Sequence, residues 1–172
     1  MSVHVIIDGY NLAHALGLLD GFGGDELEQA RDDLCDMLAM YKKAKAHKIT
    51  VVFDAQYAPE YETRNDAIKG IRIKYSPHGR LADSVIKNMA RKEKERAIVV
   101  SSDRDVAESA QASAAAAVSS QEFQSRLIEA MYFAQEADAP RSKERRIDTR
   151  KKGPGFRSKK KRRKTKAKAQ KL

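Results

Sequence analysis

Short apolar runs recur along the chain and predict buried strands. Residues 3–7, 49–53 and 97–100 are almost continuously apolar and rich in β-branched side chains, as expected for parallel strands covered on both faces. Residues 71–75 alternate apolar and basic side chains, which indicates a strand with one covered face. Residues 114–118 predict a weaker, shorter strand. Together these runs predict one sheet of short strands.

Between the strands, apolar residues recur every three or four positions and predict amphipathic helices. The repeating positions are Leu27, Ala30, Leu34, Leu38 and Tyr41, then Leu81, Val85 and Met89, and finally Phe123, Leu127, Met131 and Ala134. Asp25 is the expected N-cap of the first helix, whereas residues 9–11 are expected to form a loop. A further helix is expected between the fourth and fifth strands. This alternation predicts an α/β fold of three layers, α/β/α, with a central, mostly parallel sheet.

The charge of the chain is concentrated at its carboxyl end. Residues 141–172 contain 17 Lys and Arg against two acids, a net charge of +15, whereas residues 1–140 carry −5. Such a cationic segment cannot bury enough apolar surface to fold alone, and its natural partner is a phosphate backbone. We therefore predict a folded domain at residues 1–138 and a basic, disordered, RNA-binding tail at 139–172. Its densest run is Lys159, Lys160, Lys161, Arg162, Arg163 and Lys164.

The cysteine content and the hydropathy of the chain indicate in which cellular compartment the protein is expected. The single cysteine, Cys35, excludes an internal disulfide and fits a reducing environment. No apolar run approaches the roughly 20 residues that span a bilayer, and residues 1–7 lack the basic region of a signal peptide. We therefore expect a cytoplasmic protein with no membrane partner.

Acidic residues stand at the edge of the predicted sheet where α/β proteins bind ligands. Asp8, Asp54 and Asp103 follow predicted strands, and Asp83 falls in the first turn of the helix after the third strand. Each acid alone is explained by turn or helix-cap chemistry. Together they would repel one another unless a hard cation held them, and oxygen-only ligands indicate Mg²⁺ or Mn²⁺. Metal-assisted hydrolysis of phosphodiester bonds uses such a site.

Four short motifs lie at the ends of these strands and at the start of one helix. They are Ile6-Ile7-Asp8-Gly9-Tyr10-Asn11, Val51-Val52-Phe53-Asp54-Ala55, Ala82-Asp83 and Val99-Val100-Ser101-Ser102-Asp103. Together they resemble the NYN domains of the PIN-like nucleases, and most closely the bacterial YacP-like branch. The resemblance covers about residues 3–135, and the tail lies outside it. It implies a parallel sheet with the strand order 3-2-1-4-5 and a metal-dependent endoribonuclease without a small-molecule cofactor.

The resemblance also assigns roles to polar residues at this edge. The metal ligands that it implies are Asp8, Asp83 and Asp103, with Asp105 and Asp54 as additional candidates. Asn11 matches the active-site asparagine of the family and is expected to orient a water molecule or the phosphate.

Basic and aromatic residues near the predicted edge are candidates for contacts with RNA. They are Lys74, Arg80, Lys87 and Arg104 for phosphates, and Tyr10 or Tyr57 for stacking on a base. The expected partner is mRNA or rRNA, with the ribosome as a further candidate. Each of these residues taken alone is more often a solvated surface residue than a contact with RNA.

Other functions share parts of this pattern. In the main alternative, the acidic fold is a non-catalytic scaffold and the tail binds RNA or the ribosome through counterion release. A haloacid-dehalogenase phosphatase needs a second Asp where Tyr10 stands, and a TOPRIM domain needs a Glu where Asp8 stands. A receiver domain needs an acidic pair where the chain has Asp8-Gly9. These three classes fit the residues less well than the nuclease does.

Overall fold

A computed structural model of the chain describes residues 3–19, 24–55, 65–77 and 79–138. The basic tail at 139–172, with its run from Lys159 to Lys164, and the aromatic residue Tyr57 lie outside these residues.

Six strands form a single sheet in the order β3-β4-β2-β1-β5-β6. The strands are β1 (His4–Asp8), β2 (Lys48–Phe53), β3 (Asn65–Ile68), β4 (Ile71–Tyr75), β5 (Ala97–Val100) and β6 (Ala116–Val118). Every neighbouring pair is parallel except β3 and β4. The five predicted strands therefore occur in the order 3-2-1-4-5, and the α/β prediction is confirmed.

The sequence pattern does not predict the edge strand β3, because the segment 65–68 has only four residues and half of them are polar. It pairs with β4 through a tight hairpin whose two turn residues, Lys69 and Gly70, have φ values of 51° and 81°. Positive φ at both positions is typical of the two-residue turns that match the twist of a hairpin.

Five helices cover the sheet. They are α1 (Gly9–Ala15), α2 (Gly24–Ala44), α3 (Ala82–Glu93), α4 (Arg104–Ala112) and α5 (Ser120–Asp138), and a 3-10 turn at Lys94–Arg96 follows α3. Because α2 begins at Gly24, Asp25 lies inside the helix, and its prediction as the N-cap is wrong. None of the helices in the described residues is both long and apolar enough to cross a bilayer.

The loop predicted at residues 9–11 is wrong, because α1 begins directly at the end of β1. Asp8 caps this helix by accepting a hydrogen bond from the Asn11 amide at 3.2 Å. Gly9 packs so tightly on Phe53 that a Cβ atom would lie 2.2 Å from its ring. The abrupt turn from strand to helix therefore requires glycine at this position.

The core consists of two layers of apolar side chains, one on each face of the sheet. Leu34 and Leu127, from α2 and α5, pack with Val5 and Phe53 on one face. On the other face Ile6, Val52, Ala82, Ile86, Val106 and Ala110 bring α3 and α4 against the sheet. Consecutive residues of β1 thus point to opposite layers, as the pleat requires.

Candidate active site

Three adjacent strands, β2, β1 and β5, end at the same edge of the sheet. Asp8 is the last residue of β1, Asp54 directly follows β2, and Asp103 precedes α4 after β5. The helix α3 adds Asp83 from its first turn. All four acids predicted for the site thus lie at this edge of the sheet.

Asp8 is half-buried and has acidic neighbours. Its Oδ1 atom accepts the Asn11 amide hydrogen bond, and its Oδ2 atom accepts one from Ser101 Oγ at 3.4 Å. The pKa of Asp8 is raised to about 6, mainly by burial. The negative charges of Asp83 and Asp54 act in the same direction, and the two hydrogen bonds oppose the shift. In the described part of the chain, no cationic side chain forms an ion pair with Asp8.

Asp83 faces most of the other acids. Burial raises its pKa, and Asp103, Asp54 and Asp105 act in the same direction, while the positive charge of Lys87 lowers it. Among the described residues, none donates a hydrogen bond to the Asp83 carboxylate or forms an ion pair with it. Asp83 is therefore free to accept an external ligand.

Asp103 is held as the N-cap of α4. Its Oδ1 atom accepts hydrogen bonds from the Asp105 amide at 2.7 Å and the Val106 amide at 3.3 Å. Its own amide donates to Ser101 Oγ at 3.1 Å. Since Ser101 also donates to Asp8, one buried hydroxyl links the two acids that end β1 and begin α4.

Asp105 is exposed and forms an ion pair with Lys87. The hydrogen bond that Lys87 donates to Asp105 in this ion pair raises the pKa of Lys87. Arg104 likewise pairs with Glu108 one turn along α4, at 2.7 Å. Lys87 and Arg104, both predicted to bind RNA, are thus paired with acids in the folded protein.

Asp54 bridges β2 and α3. Its Oδ1 atom accepts a hydrogen bond from the Ala82 amide at 2.8 Å and one from Ser76 Oγ at 3.3 Å. Ser76 Oγ in turn accepts from the Ala55 amide at 3.1 Å. The N-cap residue of α3, Leu81, offers no side-chain cap, so Asp54 supplies one from a distant segment.

Asn11 ties α1 to two later segments. Its Oδ1 atom accepts from the Ser102 amide at 3.0 Å and from Ser120 Oγ at 2.6 Å. Ser102 Oγ donates to Gln121 Oε1 at 2.7 Å and accepts from the Ser120 amide at 3.2 Å. A backbone amide can only donate, so the amide orientation of Asn11 is fixed. Its Nδ2 donor makes no hydrogen bond with the described residues.

Four serines at this edge were missed by the sequence reasoning. They are Ser76, Ser101, Ser102 and Ser120. The sequence feature that could have indicated them is a serine directly after the end of each of the strands β4, β5 and β6. Hydroxyl groups at these positions link the strand ends to the acids and to Asn11.

The other residues predicted to contact RNA differ in how far they are presented at the surface. Lys74 and Arg80 line a shallow groove of about 210 Å³ beside α3. Tyr10 instead packs edge-on against Phe53, with ring centroids 5.0 Å apart, and its hydroxyl accepts from Arg31 at 3.4 Å. The Tyr10 ring is thus half-buried in the fold rather than fully presented at the surface.

The acids fit a hard divalent cation by their chemistry, since they are oxygen donors that repel one another, and no described cation pairs with Asp8. Within residues 3–19, 24–55, 65–77 and 79–138, however, no group of three His, Cys, Asp or Glu side chains is placed to hold one ion. Asp8 and Asp103 instead direct oxygens to the first turns of their helices.

Comparisons with known proteins agree with this geometry. The family model described as the YacP-like NYN domain matches residues 5–170, and so extends beyond the residue-135 limit of the motifs. The chain is also similar to the crystal structure of Rae1 (YacP) from Bacillus subtilis, with 22% identity and a TM-score of 0.67 over 80% of this chain and 79% of that one. A second structure, of a point mutant of Rae1, shows 20% identity and a TM-score of 0.64, over 78% and 80% of the two chains. A search of curated proteins found no significant match. At such identities the structures show the fold alone.

Proposed function

We propose that this chain, which belongs to the family of YacP-like NYN domains, is a divalent-metal-dependent endoribonuclease. The NYN domain is a branch of the PIN-like nuclease superfamily, and the family suggests a nuclease acting on RNA. The observation that supports hydrolysis best is the electrostatic coupling of Asp8, Asp83 and their acidic neighbours at one edge of the sheet. An inert scaffold would gain nothing from that repulsion.

The proposed ligands of Mg²⁺ or Mn²⁺ are Asp8, Asp83 and Asp103, with Asp105 and Asp54 as further candidates. A bound divalent ion would activate a water and stabilise the leaving oxygen of the phosphodiester. Asp83 is the most available of these carboxylates, because none of its described neighbours donates a hydrogen bond to it. Asp105 would first have to release Lys87.

Asn11 would contribute a neutral donor beside the acids. The contacts of its Oδ1 atom with Ser102 and Ser120 leave Nδ2 to donate to a phosphate oxygen or a water molecule. The half-buried position of Asp8 would limit the access of bulk water to the reacting atoms.

RNA binding would depend on cations around the acidic edge and in the tail. The acidic domain repels a phosphate backbone, so Lys74, Arg80 and the tail run from Lys159 to Lys164 are proposed to provide the attraction. Lys87, Arg104 and Tyr10 would contribute only after leaving their present contacts. We further propose a cytoplasmic location and an mRNA or rRNA substrate, with binding to the ribosome as one means of recruitment.

The second candidate function is non-catalytic binding of RNA or the ribosome. It is favoured by one observation: the described acids do not stand in a group of three ready to bind one ion. Both functions predict RNA binding, but only the nuclease predicts cleavage that requires the acids.

Cleavage of end-labelled RNA by purified Asp8→Asn and Asp83→Asn variants tests the proposal. With Mg²⁺ or Mn²⁺ we expect each variant to lose at least about 100-fold in kcat/KM, since loss of a metal ligand removes several kcal/mol of transition-state stabilisation. Chelator should abolish cleavage by the parent protein. The products should carry a 5′-phosphate and a 3′-hydroxyl.

The matched control is Asp36→Asn. Asp36 is an exposed acid on α2 that pairs with Lys69 beside the start of β4, at the opposite edge of the sheet. It should cleave like the parent. Equal cleavage by the parent and Asp8→Asn would assign the activity to a contaminant, and RNA binding without cleavage by every protein would favour the non-catalytic role.

A further inference from the structure

A groove beside the acidic edge is lined by three cations. Lys74 at the end of β4, Arg80 in the following loop and Lys92 near the end of α3 surround it, and Ser84 and Asn88 add polar atoms. Among the residues that the structure describes, no acidic side chain lines this groove. Lys92 was not among the residues that the sequence indicated.

These cations differ from the other basic residues near the site in having no acidic partner among the described residues. Lys87 pairs with Asp105 and Arg104 with Glu108, whereas Lys74, Arg80 and Lys92 form no ion pair in the part of the chain that the structure describes. Three positive charges around one small groove repel one another. A polyanion that entered the groove would relieve this repulsion and release its counterions.

The groove leads away from the acids along α3. Ser84, Asn88 and Lys92 recur every fourth residue, which places them in one stripe along the helix. The stripe starts next to Asp83, and the eight steps from Ser84 to Lys92 cover about 12 Å of helix. At roughly 3.4 Å of axis per nucleotide in one strand, that length accommodates two or more successive phosphates.

We propose that this groove binds the phosphate backbone of single-stranded RNA on one side of the bond to be cut, with Lys74, Arg80 and Lys92 contacting successive phosphates. The inference rests on the proposed function, because it takes the acids as the place of cleavage. Contacts of this kind position the strand and carry no base preference. The groove thus adds a defined path for the substrate.

The decisive comparison is Lys92→Glu against Arg91→Glu in the full-length protein. Both residues are exposed, adjacent and on α3, and both substitutions change the net charge by the same amount. Arg91 lines a different depression together with Lys94 and Ser109, and it touches the groove only through a hydrogen bond that it donates to Asn88 Oδ1 at 3.0 Å. Long-range electrostatics and the tail are therefore matched. Unchanged thermal unfolding would show that both variants fold.

We expect Lys92→Glu to weaken binding of a labelled single-stranded RNA about tenfold relative to Arg91→Glu, measured by fluorescence anisotropy in chelator. Its slope of log affinity against log salt should be shallower by about 0.7 for each phosphate that the variant no longer neutralises. Cleavage should show a raised KM with kcat little changed, because the groove contacts substrate away from the reacting bond.

If Lys92→Glu and Arg91→Glu bound RNA with equal affinity and equal salt slopes, the proposal that the groove binds RNA would be wrong, even where both proteins cleave RNA normally. Conversely, failure of the parent protein to cleave RNA would contradict the proposed nuclease activity. The binding comparison of the two variants would still test the groove. Lys92→Arg should behave like the parent, since either cation neutralises a phosphate and releases its counterion.

Discussion

Asp8 combines two roles that conflict at neutral pH. Its carboxylate caps α1, which favours the ionised form, yet it is half-buried beside Asp83 and Asp54. Burial dominates and raises its pKa to about 6 from the ordinary 3.8. Without a cation, the negative charge of Asp8 therefore destabilises the folded protein, and a bound divalent ion would remove this cost.

The pH dependence of stability should reveal this charge. Between about pH 4 and pH 6 the folded protein holds a proton on Asp8 that the unfolded chain has lost, so the free energy of unfolding falls as pH rises through this window. Asp8→Asn has no proton to lose there. In urea unfolding with chelator, the free energy of unfolding of the variant relative to the parent should increase from pH 4 to pH 7 by on the order of 2 kcal/mol.

Two comparisons make that measurement specific to Asp8. The exposed control Asp36→Asn should follow the pH profile of the parent. Addition of Mn²⁺ at pH 7 should raise the melting temperature of the parent much more than that of Asp8→Asn. Parallel profiles for the parent and Asp8→Asn would show that Asp8 titrates normally.

At the scale of elements, the position of α3 depends on a cap from outside its own sequence. Leu81 cannot cap the helix, and Asp54 accepts the Ala82 amide hydrogen bond instead. Ser76 strengthens this link between the ends of β2 and β4. Because Asp83 is the second residue of α3, the cap also determines where Asp83 stands relative to Asp8.

Two substitutions of Asp54 separate capping from metal binding. Asp54→Ala removes the acceptor and should cost about 1 kcal/mol of unfolding free energy, as for other N-caps. It should also reduce metal-supported kcat by displacing Asp83. Asp54→Asn keeps an oxygen for the Ala82 amide, so a capping role predicts near-parental stability and activity. Equal loss of kcat in both variants would instead identify Asp54 as a metal ligand.

At the scale of the whole molecule, the chain combines an acidic domain with a cationic carboxyl end. Residues 141–172 carry +15 and residues 1–140 carry −5. A substrate with a phosphate backbone is repelled by one part and attracted by the other. Affinity and chemistry should therefore depend on different parts of the chain.

Replacement of the tail run from Lys159 to Lys164 by glutamine tests this division. RNA affinity should fall, and the log–log slope of affinity against salt should become shallower by about 0.7 for each phosphate that the tail no longer binds. The kcat at saturating RNA should be retained, because the acids are intact. A variant with arginine at the four lysines of this run keeps every charge and should match the parent. A loss of kcat with unchanged affinity would contradict the division.

Local sequence pattern was enough to identify five of the six strands, most helices and the edge of the sheet that carries the acids. Burial follows local periodicity, so apolar runs such as residues 49–53 could be identified without coordinates, and strand order places their carboxyl ends together. The short helix α1 and the strand β3 were not determined locally. The first depends on the packing of Gly9 against Phe53 and the second on pairing with β4.

Which polar groups already have a partner depends on contacts between distant segments and could be read only from the folded protein. Asp54 and Ala82 are 28 residues apart, Asn11 and Ser120 are 109 apart, and Lys87 meets Asp105 across two helices. These partners depend on angles and distances between segments that no local pattern encodes. The sequence could therefore name the acids and cations of the site, whereas the fold alone distinguished capped from open acids and paired from unpaired cations.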